Sequence, residues 1–280
     1  MIITTLHRLV RYSFHRHGFQ SCHLQLDSSR LHYFQRQCPQ ASKRLVLIHG
    51  LGTSSSTWIK ILPSLSKSYT ISCLDLPGFG FSKITSGDPF FSLKQLDCAV
   101  EQFIQRTQRL PIILIGHSLG GWLAARAALN HPESVEHLIL INNAGIQYPG
   151  VGQQADIFDL LTLDDARQLL YHLWSHYPWY FKPFTSSIFQ SLKKKHVSDF
   201  VRSIREEDFL NQKISALPMP VDVIWGNEDR LISKESVSIM KNLLPDLTAH
   251  SIYQCGHVPQ LEKPHQVSLL LNQILASSQK

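Results

Sequence analysis

The run Ile112-Ile113-Leu114-Ile115-Gly116-His117-Ser118-Leu119-Gly120-Gly121-Trp122-Leu123 joins an apolar strand to a helix through a single serine. Four consecutive aliphatic residues, 112–115, suit a short strand covered on both faces, as in parallel sheets. Residues 116–120 then have the form G-x-S-x-G. Such a strand-to-helix turn is sharp and strained, and side chains two positions either side of the serine would collide, so glycine stands at both. The turn lifts the Ser118 hydroxyl to the carboxyl end of its strand, where open α/β sheets build their sites. Three fixed letters occur by chance about 0.1 times in a chain of this length. Their position between strand and helix gives them weight.

Apolar runs at 45–48, 71–74, 138–141 and 221–225 predict further buried strands, and helix-like segments fall at 58–65, 93–108, 121–130 and 234–244. This alternation predicts an open, mostly parallel sheet with helices on both faces. Upstream, 22–26 and 31–35 flank Asp27-Ser28-Ser29-Arg30 and predict an antiparallel hairpin at the sheet edge. After Asn142 the alternation stops. Between Tyr148 and Phe209 stand twelve of the chain's 27 aromatic residues, among them Tyr171, Trp174, Tyr177, Trp179, Tyr180, Phe181 and Phe184. That excess predicts a helical cap inserted at 144–216, broken into short helices by Pro178 and Pro183. The expected organisation is a basic arm at 1–20, a core at 21–143 and 217–280, and the cap between the two core segments.

With His49-Gly50-Leu51-Gly52, Asp75-Leu76-Pro77-Gly78-Phe79-Gly80, the Ser118 turn, Gly226-Asn227-Glu228-Asp229 and Cys255-Gly256-His257 in this order, the chain resembles the α/β-hydrolase superfamily. The similarity spans the chain from about Leu45 to its end and points to the capped branch of esterases, monoacylglycerol lipases and carbon-carbon bond hydrolases. It implies the α/β-hydrolase fold and says little about the substrate.

A serine hydroxyl becomes a useful nucleophile only when a base takes its proton and a third group orients that base. The order Ser, acid, His expected on this fold is met by Ser118, Asp229 and His257. Asp229 follows the strand 221–225, where the family places its acid; Glu228 is the neighbouring competitor and Asp75 a more distant one, its Pro-Gly sequel suiting a turn. His257 sits on a Gly-containing loop after the apolar segment 247–252. His49 and His117 are read as structural, Cys255 as a small residue beside the active-site loop, and the Lys193-Lys194-Lys195 run as a solvated helix face. Ester hydrolysis also needs donors for the developing oxyanion: the Leu119 amide at the helix start and, by resemblance, the Leu51 amide. No metal or organic cofactor is implied.

The formal net charge of +6 comes without a nucleic-acid-binding module, so nucleic acid is excluded as a partner. Arg8, Arg11 and Arg16, with no acidic residue before Asp27, concentrate charge near the N-terminus. Charged and His residues break that stretch too early for a signal peptide. Two readings stay open for it: a terminal arm, frayed or packed, or a weak peripheral contact with an anionic membrane. No later stretch reaches the roughly 18 apolar residues of a membrane span. Five cysteines, an odd number without ligand spacing, read as free thiols of a reducing compartment, and a cytoplasmic location is expected. The oligomeric state is not legible.

The expected activity is hydrolysis of carboxylic esters of small to medium acyl chain through an acyl-enzyme on Ser118. Carbon-carbon bond hydrolysis of ring-cleavage diketones is the main alternative. Thioester hydrolysis or acyl transfer, and a non-catalytic ligand receptor on the same fold, are the others.

Overall fold

The computed structural model describes residues 2–85, 92–107, 110–179, 185–186, 189 and 195–277. Tyr180, Phe181, Pro183, Phe184, Lys193 and Lys194 lie outside the described residues.

A nine-stranded sheet organises the chain, built from β1 (Gln20–Gln25), β2 (Ser29–Arg36), β3 (Arg44–Ile48), β4 (Thr70–Asp75), β5 (Lys83–Ile84), β6 (Ile112–His117), β7 (Val135–Ile141), β8 (Val221–Gly226) and β9 (Thr248–Ile252). The order is β1-β2-β4-β3-β6-β7-β8-β9, with β5 paired to β2. From β4 to β9 neighbouring strands are parallel, while β2 runs antiparallel to β1, β4 and β5. The hairpin expected at the edge is therefore β1 and β2. Strands β3, β6 and β8 are buried throughout, as aliphatic runs must be when helices cover both faces.

Side chains alternate between two cores. On one face Val46, Ile48, Ile112 and Leu114 pack under α2 (Leu93–Thr107) and α3 (Leu119–Asn130). On the other, Leu45, Leu47, Ile113 and Ile115 meet Trp58 and Phe14, the latter on α1 (Ile2–Arg16). The N-terminal arm is thus a packed helix, held by Phe14 stacked on Phe34 at 3.8 Å. The helix expected at 58–65 is instead two 3-10 turns, Ser55–Trp58 and Leu62–Ser64. Pro63 opens the second turn and brings no N–H, so an α-helix cannot run through it.

Between the adjacent strands β7 and β8 the chain leaves the sheet and forms a 3-10 segment, Val151–Phe158, then α4 (Leu163–Leu173) and α5 (Lys195–Ser203). α4 starts on a capping box: the Asp165 amide donates to Thr162 Oγ1 at 3.2 Å and the Thr162 amide to Asp165 Oδ2 at 2.7 Å. Leu160, Ala166, Leu169 and Phe189 form a small core of their own here. β8 is followed by α6 (Glu235–Leu243), and β9 by α7 (Pro259–Glu262) and α8 (Pro264–Ser277). No helix among the described residues is long and apolar enough to cross a membrane.

One ion pair joins α2 to α3. Arg126 Nε donates to Asp97 Oδ2 at 2.6 Å, while Asp97 Oδ1 is buried without a hydrogen-bond partner. Burial lifts the Asp97 carboxyl from 3.8 to about 6, and Arg126 offsets only part of that. Between about pH 4 and 6 the folded chain therefore keeps a proton that the unfolded chain has released, and stability falls as pH rises through this window. The penalty at neutral pH is on the order of 3 kcal/mol. Asp97→Asn is expected to gain stability over the parent by about that amount between pH 4 and pH 7, read from urea midpoints. Parallel pH profiles for the two proteins would contradict it.

Candidate active site

Ser118 sits between β6 and α3 with φ 52° and ψ −120°, a conformation that strains any residue with a Cβ. Its amide donates to the Ile141 carbonyl at 3.0 Å, and its carbonyl accepts from Gly121 and Ala144, each at 3.0 Å. The turn is tight because backbones converge on it. A Cβ on Gly116 would stand 2.3 Å from the Gly120 oxygen, and one on Gly120 would stand 2.2 Å from the Ile48 oxygen. The Ser118 side chain stays slightly open, at 9% exposure of the residue.

His257, on the loop after β9, directs Nδ1 at Asp229 Oδ2 over 2.8 Å, and both side chains are buried. Asp229 follows β8. Its Oδ1 accepts the amides of Leu231 (2.8 Å) and Ile232 (2.9 Å), and its Oδ2 also accepts Asn142 Nδ2 at 2.7 Å. Every lone-pair site of the carboxylate is taken. With Nδ1–H given to Asp229, the neutral imidazole presents Nε2 as its basic nitrogen. Glu228, the neighbouring candidate acid, points elsewhere and accepts from Ser175 Oγ at 2.5 Å. Asp75 has its own histidine: His32 Nδ1 lies 2.8 Å from Asp75 Oδ2, and the Ser55 and Phe81 amides complete a turn-holding set.

Two residues hold this pair: Asn142, which sequence reasoning passed over, and His117, which it read as structural. Asn142, at φ 40° and fully buried, bridges Asp229 and the Gly226 amide, which donates to Asn142 Oδ1 at 3.0 Å. It ends β7 at the carboxyl edge, so the rule that singled out Ser118 could have found it. His117 Nε2 donates to the His257 carbonyl at 2.8 Å, tying the base loop to the residue beside Ser118. Burial, then the neighbouring His257, pushes His117 down to about 3, so it stays a neutral strut.

The loop after β3 approaches from the other side. A Cβ on Gly50 would lie 3.0 Å from Ser118 Cβ, so glycine lets the Leu51 segment come close. His49 fixes this loop, receiving the Leu76 amide at Nε2 (2.9 Å) and giving Nδ1–H to the Gly50 carbonyl (2.8 Å). Leu119 is the first residue of α3, where amides lack an acceptor within the helix.

The segment after α4 is clasped to the loops that carry Asp229 and His257. The His257 amide donates to the Leu173 carbonyl at 2.8 Å, and Glu262 accepts the amides of Gly256 (2.9 Å) and Ser175 (3.3 Å). Arg230 Nη1 donates to the carbonyls of Tyr171 (3.1 Å) and Trp174 (3.0 Å). Trp174 and Tyr148 are buried here, whereas Tyr171 and Trp179 are exposed. Burial raises the Cys255 thiol, which suits an inert packing residue. A cavity of about 660 Å³ lined by His137, Asp222, Thr248 and His250 lies at the opposite, amino-terminal edge of β7, β8 and β9 and takes no part in this site. Among the described residues no group of three His, Cys, Asp or Glu is placed to hold a metal ion.

The family described as alpha/beta hydrolase fold matches residues 43–212. A pimeloyl-[acyl-carrier protein] methyl ester esterase of Aeromonas hydrophila subsp. hydrophila is 25% identical over 79% of this chain and 91% of its own. A 2-hydroxymuconate semialdehyde hydrolase of Pseudomonas sp. (strain CF600) is 27% identical over 84% of this chain and 87% of its own. Among solved structures, a membrane phospholipase A described as a bacterial virulence factor superposes with a TM-score of 0.84 at 25% identity, covering 100% of this chain and 93% of that one.

Proposed function

The chain belongs to the α/β hydrolase fold family, and from that premise we propose that it hydrolyses carboxylic esters of small to medium acyl chain through an acyl-enzyme on Ser118. The observation that carries this is the buried 2.8 Å contact of Asp229 with His257 Nδ1, on loops that share one sheet edge with the strained serine. Ser118 Oγ attacks the ester carbonyl as His257 Nε2 takes its proton, and Asp229 steadies the imidazolium. The Leu51 and Leu119 amides receive the oxyanion. The alcohol leaves with the proton from His257; water, deprotonated by the same ring, then attacks the acyl carbonyl and releases acid and serine.

The insertion at 144–216, acting as a cap, forms the acyl pocket, with Tyr148 and Trp174 as its buried rings nearest the acid and base loops. Burial raises the Tyr148 phenol, and Asp229 is among the charges acting on it, which supports that reading. Each acyl methylene buried there contributes up to about 0.8 kcal/mol, close to fourfold in binding. The expected profile is a kcat/KM that climbs from acetyl to about hexanoyl or octanoyl esters and then levels. The semialdehyde hydrolase among the relatives is the reason to set carbon-carbon cleavage beside this reading. The test measures kcat/KM for p-nitrophenyl esters of increasing length, one thioester and one ring-cleavage diketone. Flat length dependence or an acetyl preference would remove the cap pocket, and a dominant diketone or thioester rate would reassign the substrate.

A further inference from the structure

The outer face of α1 is exposed. Its inner face is spent on packing: Val10 leans on the core, Phe14 is 1% exposed, and Phe19 meets Phe14 edge-on at 5.5 Å. The outer face carries Leu9 and Tyr12, 59% and 61% exposed, flanked by exposed Arg8, Arg11 and Arg16. The Arg16 guanidinium lies 5.9 Å from the Tyr12 ring and that of Arg11 4.6 Å from Phe81. No acidic residue occurs before Asp27, so nothing nearby in sequence neutralises these cations. A leucine and a tyrosine framed by arginines match the two layers of a membrane interface, acyl boundary and phosphate. The cations fix the sign of the partner.

The direction of the helix adds a consequence. β1 runs antiparallel to β2, and Arg36 pairs with Ile71 at the start of β4, so Phe19 and the end of α1 lie toward the amino-terminal edge of the parallel strands. His7, earlier in α1, lies with its ring centroid 4.6 Å from that of Phe81, tilted by 53°, just past the turn that follows β4. That turn belongs to the carboxyl edge, which also holds Ser118 and His257. The helix therefore runs along the sheet between its two edges, with His7 toward the edge that holds Ser118 and Arg16 toward the amino-terminal one.

We propose that the outer face of α1 docks the protein on an anionic lipid bilayer. The docking is independent of the ester reading. Two exposed apolar side chains insert little area, so the attraction is mainly Coulombic, weak and reversible. Near an anionic surface each arginine contributes about fivefold in binding, and salt at about 1 M shortens the Debye length to about 3 Å and removes the effect.

The experiment is co-sedimentation of the full chain with vesicles of phosphatidylcholine alone and of phosphatidylcholine with one-third phosphatidylglycerol, at low and high salt. Binding confined to the anionic vesicles and lost at high salt supports the proposal. Arg8→Gln with Arg16→Gln should weaken it about twenty-fivefold, and Leu9→Ser with Tyr12→Ser should weaken what remains. Unfolding midpoints control for folding, and the lipid and salt comparisons need no variant. Equal binding to both vesicle types, binding to neither, or variants that bind like the parent would overturn it. Ser118→Ala should sediment like the parent, and a parent chain that binds vesicles yet hydrolyses no ester would fail the ester reading while leaving the docking intact.

Discussion

Ser118→Ala is expected to lower kcat on any ester substrate by a factor on the order of 10⁵ to 10⁶, because removing a nucleophile disables the base and acid that act through it. What remains should be the modest contribution of binding and oxyanion amides. A fluorophosphonate probe should label the parent at Ser118 and leave the variant unlabelled. Folding is not expected to suffer, since alanine inherits the same unfavourable φ of 52° and loses only a hydroxyl. Ser118→Gly separates the two functions of the position more sharply. Glycine accepts the left-handed region without strain, so this variant should be more stable than the parent by about 1 kcal/mol and equally inactive. Labelling that persists in Ser118→Ala would show that Ser118 is not the nucleophile, and a glycine variant less stable than the parent would show that the turn stores no strain.

Strands were legible where burial on both faces demanded continuous aliphatic residues, as at 112–115 and 45–48. β9, with its mixed burial, is the strand that no apolar run announces as clearly, and β5 is too short to leave a pattern. The hairpin of β1 and β2 was readable from its turn residues. The 58–65 segment misled because its apolar content suits the core position of Trp58 and Leu62, while Pro63 decides the backbone. Ser118, Asp229 and His257 could be singled out because each follows a strand or opens a helix. The contacts that hold them could not. His117 meets His257 across 140 positions of chain, and Asn142 meets Asp229 across 87, distances at which local pattern carries no information. The clasp of Arg230 and Glu262 on the chain after α4 has the same origin. It links the placement of the inserted segment to the loops that carry Asp229 and His257, a coupling visible only once the fold is closed.

Asp229→Asn is expected to reduce kcat by roughly 10³ to 10⁴, whereas Glu228→Gln should stay within about tenfold of the parent. The difference follows from what each carboxylate faces. Asp229 is acceptor to four donors, two amides on Oδ1 and the His257 and Asn142 side chains on Oδ2. An asparagine keeps its oxygen on the two amides, which leaves its NH₂ facing the Asn142 NH₂ and His257 Nδ1–H. Donor then meets donor, and the ring relieves the clash by moving its proton to Nε2, the nitrogen that must accept from serine. The imidazolium formed during reaction also loses a buried counter-charge in a setting where Coulomb interactions are strong. Glu228 instead accepts from Ser175 on the inserted segment, and glutamine can still accept there, so the change should appear mainly in KM through a looser cap. Both variants must show parent-like unfolding midpoints before rates are compared. If Glu228→Gln lost more of kcat than Asp229→Asn with both folded, the acid would be Glu228 and the Asp229–His257 contact a structural one.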